Sequence, residues 1–361
     1  MSRAGDAAAS PSAGERMQRL IERLFPIQRS LTGDGVRETL RILSEELPLE
    51  VHEVPTGTPV LDWTVPREWN LREAWIRRGG ETIVDARDSS LHVVGYSTPV
   101  RGTFTLAELR QHLHSLPEQP DLIPYRTSYY REDWGFCLPH RQLAALPEGS
   151  YELVIDSTLS DGHLTYGEFF LPGASEQEVL ISCHVCHPAL ANDNLSGIAV
   201  TWALAGELAA ERRRYGYRFL YIPGTLGSIT WLARNGARVE RIRHGLVAAN
   251  LGDPGGFHYK RSRRGDAEID RAVPVALREL GEEVVVEPFV PFGYDERQYS
   301  SPGFNLPVGS LTRTPYGRYP EYHTSADNLD FIQSASLEGS LQTYLSVIKI
   351  LEGNQIGRAH V

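Results

Sequence analysis

The 361-residue chain has only three cysteines, Cys137, Cys183 and Cys186. Three thiols cannot build a disulfide framework. With no apolar leader ahead of them, they point to a reducing, cytoplasmic setting. No apolar run approaches the length that spans a bilayer, so no membrane association is expected. Positive charge is also scarce: 36 Lys and Arg against 46 Asp and Glu leave a net charge of −10. That balance argues against a general nucleic-acid footprint. No internal repeat is visible. The opening stretch "MSRAGDAAASPSAGER" lacks the apolar segment of a signal peptide, so residues 1–14 read as a disordered leader and 356–361 as a short tail. Oligomeric state is left open.

What is present is ample core material. A hydrophobic content of 41% suffices for one large core, or for one core and a smaller module. "ERMQRLIERLF" (15–25) and "GVRETLRILSEEL" (35–47) carry apolar residues at helical spacing, and "LEVHEVP" (49–55) alternates as a strand does. From 59 to 171 the character changes. Short strand-like runs, "ETIVDA" (81–86), "HVVGYS" (92–97) and "YELVIDS" (151–157), are separated by Pro- and Gly-rich turns. Four of the six tryptophans fall here (Trp63, Trp69, Trp75, Trp134). A small β-rich module is expected, inserted into a larger domain formed by 15–58 and 172–355. After 172 the rhythm is strand, helix, strand: "EVLISC", "LSGIAVTWALAGELAAERR", "YRFLYIP", "SITWLARN", "HGLVAAN" and onward to a closing helix, "ASLEGSLQTYLSVIKILEG". Such alternation predicts an α/β fold with a mostly parallel sheet flanked by helices.

In sheets of this kind ligands bind beyond the carboxyl ends of the strands. His184 follows one strand, Asp193 precedes the next helix, Asp253 follows another strand and His323 sits in a loop before the last helix. All four can reach one edge, and imidazole with carboxylate is the donor set of catalytic zinc. Singly, each also reads as a capped or solvated polar group.

Four segments, "RSLTGDGVRETL" (29–40), "SCHVCHPALANDNLSG" (182–197), "YDERQYSSPGFNLPVGSL" (294–311) and "YPEYHTSADN" (319–328), resemble the DUF4910/DUF2172 aminopeptidase-like family, related to the M28 zinc aminopeptidases. The resemblance runs from about 15 to 353. It implies a zinc site in which His184 is a terminal ligand, Asp193 the bridging carboxylate, Asp253 the second ligand of the first zinc and His323 a ligand of the other. It also implies an unusual peptide bond at Asp193–Asn194. His187 is an alternative ligand or a loop hydrogen bonder, and Cys186 a structural residue or a soft ligand. Relatives carry a glutamate in a "Pro-Glu-Thr" segment where this chain has "IPGTLGS" (222–228), with Gly224 in its place. Glycine can neither ligate a metal nor shuttle a proton. Glu296 and Asp295 are the acidic candidates to compensate, or else hydrogen-bonded scaffold of their loop, and Tyr322 is a candidate to hydrogen-bond an oxyanion. On the substrate side, Arg297 and Arg261 could clamp a carboxylate, or stand as solvated surface residues. Tyr130 and Trp134 could wall the site, or serve as core of the β module.

The reading is a zinc-dependent, aminopeptidase-like enzyme acting on an N-terminal peptide or amide bond of a small substrate, with one tight and one weak or absent zinc and with hydrolysis impaired by Gly224. Two alternatives share the scaffold: a metal-dependent acyl-transferring or amide-forming enzyme, and a catalytically silent ligand-binding protein.

Overall fold

The computed structural model describes residues 11–354. The tail at 356–361 and most of the expected leader lie outside the described residues. Residues 13 and 14 already belong to helix α1 (Ala13–Leu24), because Ser12 and Glu15 form a reciprocal capping box at its start. Met17, Ile21 and Leu24 make its buried stripe, and Val36, Leu40 and Leu43 do the same for α2 (Asp34–Leu43).

Twelve strands matter here. In chain order they are β1 (Glu50–Pro55), β2 (Glu68–Arg78), β3 (Glu81–Asp85), β4 (Val100–Thr105), β5 (Ser150–Ser160), β6 (His163–Leu171), β7 (Glu178–His184), β8 (Gly216–Ile222), β9 (Ile242–Ala248), β10 (Phe257–Lys260), β11 (Val284–Glu287) and β12 (Val308–Thr312). Eight of them form the main sheet, in the order β1-β6-β8-β7-β9-β12-β10-β11. The pairs β7/β8, β7/β9, β9/β12 and β10/β11 are parallel. The pairs β1/β6, β6/β8 and β10/β12 are antiparallel. The sheet is therefore mixed, with its parallel part at the centre. Every residue of β7 and β8 is buried, which is why their sequences read as near-continuous apolar runs and not as alternation.

β2 to β5 make a separate antiparallel sheet, in the order β3-β2-β5-β4. The inserted module thus ends earlier than residue 171. After β5 the chain turns at Asp161–Gly162, and β6 enters the main sheet between β1 and β8. "HVVGYS" forms only isolated bridges at Val93 and Gly95, since Tyr96 at φ 68° breaks the extended run. Helices α1, α3 (Gly197–Ala209), α5 (Glu268–Glu279) and α6 (Ser334–Gly353) cover one face of the main sheet. The module covers the other: Trp69, Tyr151 and Ile155 share a core with Leu180, Leu220 and Val247 of the main sheet and with Trp231 of α4 (Leu226–Arg234). Among the described residues no helix is long and apolar enough to cross a membrane.

One ionic group sits inside this frame. Arg218 on β8 is paired with both Glu168 and Glu178, and all three are almost wholly buried. Its Nε donates to Glu178 Oε2 at 2.7 Å, and Trp231 Nε1 donates to Glu168 Oε2 at 2.8 Å. Arg218→Ala would leave the buried Glu178 without a cation and Glu168 with only the half-exposed Arg238. The expected loss is about 3–5 kcal/mol of unfolding free energy, read by urea denaturation.

Candidate metal centre

The site is assembled at the carboxyl end of β7. His184 is the last residue of that strand, and the chain then loops back through Ala189 at φ 42° before a kinked helical segment, Ala191–Ser196, carries Asp193. His184 Nε2 lies 2.8 Å from one Asp193 oxygen, and His323 Nε2 lies 3.0 Å from the other. The loop-back also returns His187 to the same point. The available donor atoms of His184, His187 and Asp193 lie within 4.8 Å of one another. The peptide bond after Asp193 is cis, as is Gly224–Thr225.

Buried partners hold this cluster. Asp327 accepts the backbone N–H of Asn192 (2.6 Å) and of Asp193 (3.0 Å), fixing the segment on which Asp193 sits. Asn194 Nδ2 donates to the carbonyls of His184 (3.2 Å) and Ala248 (3.1 Å). Arg29, 1% exposed, donates from Nε to the His187 carbonyl at 2.9 Å. The β module contributes as well. Tyr125 donates its backbone N–H to the His323 carbonyl (2.8 Å), and its ring meets the rings of His323 and His187 at 5.0 and 5.1 Å. Arg29 and Asp327 both lie within the motif segments, yet sequence reasoning gave them no role. Their signal was a charged residue in an otherwise apolar or turn-forming stretch.

Burial sets the protonation. It holds His187 well below the usual imidazole range, and the neutral ring keeps a lone pair for a metal. Nearby imidazoles hold Asp193 well below the usual carboxylate range, against the opposing effect of its own burial. Two imidazoles and one ionised carboxylate are the donor types zinc takes in catalytic sites, so the residues fit the metal. Burial pushes the Cys186 thiol up to about 12. Its sulfur lies 3.3 Å from the Tyr294 hydroxyl, and a neutral thiol is a poor ligand.

Asp253 does not join the cluster. It is buried elsewhere, accepting from Thr314 Oγ1 (2.6 Å), Gly255 N (2.8 Å) and Asn192 Nδ2 (3.0 Å). Its lone pairs tie three loops together, and His187 stands near Asp193 instead.

A cavity of ≈ 280 Å³ opens beside His187 and His323. Arg297 and Tyr130 line it, as do Trp63, Tyr129, Gly224 and Tyr294. Trp134 does not. It stacks on His112 at 3.7 Å and packs on Phe104 at 5.5 Å, inside the module. Arg261 is an exposed surface residue whose Nη1 meets the Gly265 carbonyl at 3.4 Å. Tyr322 stacks on His323 at 3.9 Å and supports that ring without lining the cavity. Neither acidic candidate reaches the cavity. Glu296 is ion-paired with Lys260, and its oxygens accept the Tyr294 N–H, on the side facing a different depression. Asp295 is fully buried: Oδ1 accepts from Ser228 Oγ at 2.7 Å and Oδ2 has no partner.

Burial, above all, raises the Asp295 carboxyl to about 7. The folded protein therefore favours the protonated acid. The stability this confers is full below pH ~4, where the unfolded carboxyl is also protonated, and is lost as pH rises through 7. Each pH unit between is worth ~1.4 kcal/mol. Wild type should lose stability relative to Asp295→Asn across that window, checked by thermal melts of both proteins at pH 4 to 8.

Gly224 faces Tyr294. A Cβ built at residue 224 would lie 2.0 Å from Tyr294 Cε1 and 2.5 Å from Cζ. The Tyr294 hydroxyl donates to the Gly224 carbonyl at 3.3 Å, and its ring packs on His184 at 4.2 Å. The tyrosine ring occupies the volume that any larger residue at 224 would need.

A family model described as "Domain of unknown function (DUF4910)" matches residues 18–354. A Clostridium acetobutylicum protein named for polysaccharide biosynthesis and an aminopeptidase-like domain is 50% identical over 347 residues, covering 96% of this chain and 80% of that protein. A crystal structure from the same organism, named as a peptidase, superposes with a TM-score of 0.93 at 50% identity, over 94% of this chain and 81% of that one. A zinc aminopeptidase from Bacillus subtilis superposes with a TM-score of 0.67 at 13% identity, over 93% of each chain. The last likeness is one of fold.

Proposed function

The chain belongs to the DUF4910 family, and on that premise we propose that it is a zinc-dependent enzyme of the aminopeptidase-like class that cleaves an amide or peptide bond of a small substrate in the cavity beside Asp193. The observation that carries this reading is the convergence of His184, His187 and both Asp193 oxygens at the end of the central strand. His184, His187 and Asp193 would hold the zinc. A bound zinc supplies Lewis-acid polarisation of the scissile carbonyl and acidifies a water.

This chain's own residues do the rest. His323 takes the second Asp193 oxygen and stops the carboxylate from turning away from His184. Asp327 fixes the Asp193 backbone, and Tyr125 holds the His323 loop. Trp63 and Tyr130 pair at the mouth of the cavity, 5.8 Å apart, and screen the substrate from solvent. No Asp or Glu is among the lining residues, so proton transfer to the departing amine lacks a carboxylate relay. Removing such a group costs typically 10²–10⁴-fold in rate, and slow hydrolysis is expected. The same feature favours the transfer reading as second choice, since an acceptor amine, once added to the carbonyl, carries the proton that the departing nitrogen needs.

The test is zinc analysis with a panel of small amides. One tightly bound zinc, with turnover removed by a chelator and restored by zinc alone, supports the reading. Zinc with acyl transfer to added amines but no hydrolysis favours the second reading. No zinc and no turnover overturn both.

A further inference from the structure

The charge in the cavity is of the wrong sign for a free amino terminus. An enzyme that selects an α-ammonium group needs an anionic or carbonyl-rich pocket to receive it, and here Asp and Glu are absent from the lining residues. Apart from the imidazoles, the one charged side chain among them is Arg297. It sits in the single helical turn Glu296–Tyr299, one turn past Tyr294, on the wall shared with Gly224 and Thr225. Among the described residues Arg297 makes no ion pair and no hydrogen bond, and its Nε is buried without a partner. Other arginines also leave one buried guanidinium nitrogen open, but each has partners elsewhere on the group or lies away from the cavity. Arg29 donates to two backbone carbonyls, Arg218 pairs with two glutamates, and Arg313 donates to Ser340 and Gly255. A buried donor left open costs free energy unless something fills it. The planar guanidinium fork matches a carboxylate.

We infer that Arg297 is the anchor for a substrate carboxylate, and that the cavity takes N-acyl amino acids, with blocked amine and free carboxylate, in preference to free-amine aminoacyl compounds. This rests on the amide-cleaving reading given above. The aromatic rings of Trp63, Tyr129 and Tyr130 take the amino-acid side chain, and the acyl carbonyl lies toward His187 and His323. Cleavage adds the hydroxyl of water to the acyl carbon, breaks the C–N bond and places the second proton of water on the departing nitrogen. The products are a carboxylic acid and a free amino acid whose carboxylate stays on Arg297 until release.

The experiment compares three probes on the zinc-loaded full chain: N-acetyl-L-leucine, N-acetyl-L-leucinamide and L-leucinamide. The expected kcat/KM for the acid exceeds that for either amide by about 10–100-fold, the range of a charge-assisted hydrogen-bonded pair. Arg297→Gln collapses the acid-to-acetylamide ratio toward one, and Arg297→Lys keeps part of it. A wild-type ratio near one, a preference for L-leucinamide, or a ratio unmoved in Arg297→Gln overturns the inference. If none of the three is cleaved, the amide-cleaving reading fails by itself. Calorimetric binding of N-acetyl-L-leucine against its amide then still decides Arg297: tenfold tighter binding of the acid supports it, and equal binding overturns it.

Discussion

Asp193→Asn abolishes tight zinc binding. The carboxylate faces His184 with one oxygen and His323 with the other. Asparagine keeps the shape but removes the charge and turns one of the two acceptors into a donor. Structural zinc sites release ~10–16 kcal/mol on binding, or ~2.5–4 kcal/mol for each of four ligands. Losing one weakens affinity by about 10²–10³-fold. Competition against a chromophoric chelator measures this directly. The metal-free fold should survive, because Asp327 holds this segment through the backbone of residues 191–193 and not through the Asp193 side chain. Unchanged zinc affinity in Asp193→Asn would remove this residue from the metal site.

Gly224→Glu does not rebuild a second zinc site, although the sequence alone invites that substitution. The new Cβ would press into the Tyr294 ring at 2.0 Å, a separation that real structures do not tolerate. Tyr294 must leave, giving up its packing on His184 and its contacts with Gly224 and Cys186. Overpacking of this kind costs about 1–3 kcal/mol. The single variant should melt lower than wild type and hold no more zinc. Gly224→Glu combined with Tyr294→Ala opens the space, so it should recover stability and take up a second equivalent. The effect is non-additive because both residues claim one volume. Metal content by mass spectrometry and melting temperature together decide it; a second zinc in Gly224→Glu alone would show that Tyr294 is no obstacle.

Strand and helix order after residue 172 was legible because buried strands and amphipathic helices differ in period, and because His184 and Asp193 sit where a strand stops and a helix begins. The choice between Asp253 and His187 was not legible. It depends on the return of the chain at Ala189 and on Asn192 and Thr314 occupying the Asp253 oxygens, contacts that spacing does not encode. The choice between catalytic acid and loop scaffold for Glu296 was not legible for a like reason: the sequence shows a carboxylate near Arg297 but not Lys260, which comes from β10 to pair with it. For Trp134 the sequence left a site wall and module core as equal options, and the structure shows the second. Its partner, His112, lies 22 residues away. The end of the module was misplaced because β6 follows β5 directly through the hairpin at Asp161–Gly162, which carries no mark of which sheet follows.

The most direct test of the zinc assignment is X-ray absorption at the zinc edge of the loaded wild-type protein. The account predicts one zinc per chain with only nitrogen and oxygen neighbours at about 2.0–2.2 Å, including the multiple-scattering signature of two imidazoles, from His184 and His187. A sulfur shell near 2.3 Å would put Cys186 on the metal. A zinc–zinc vector, or a single imidazole, would contradict the three-ligand site.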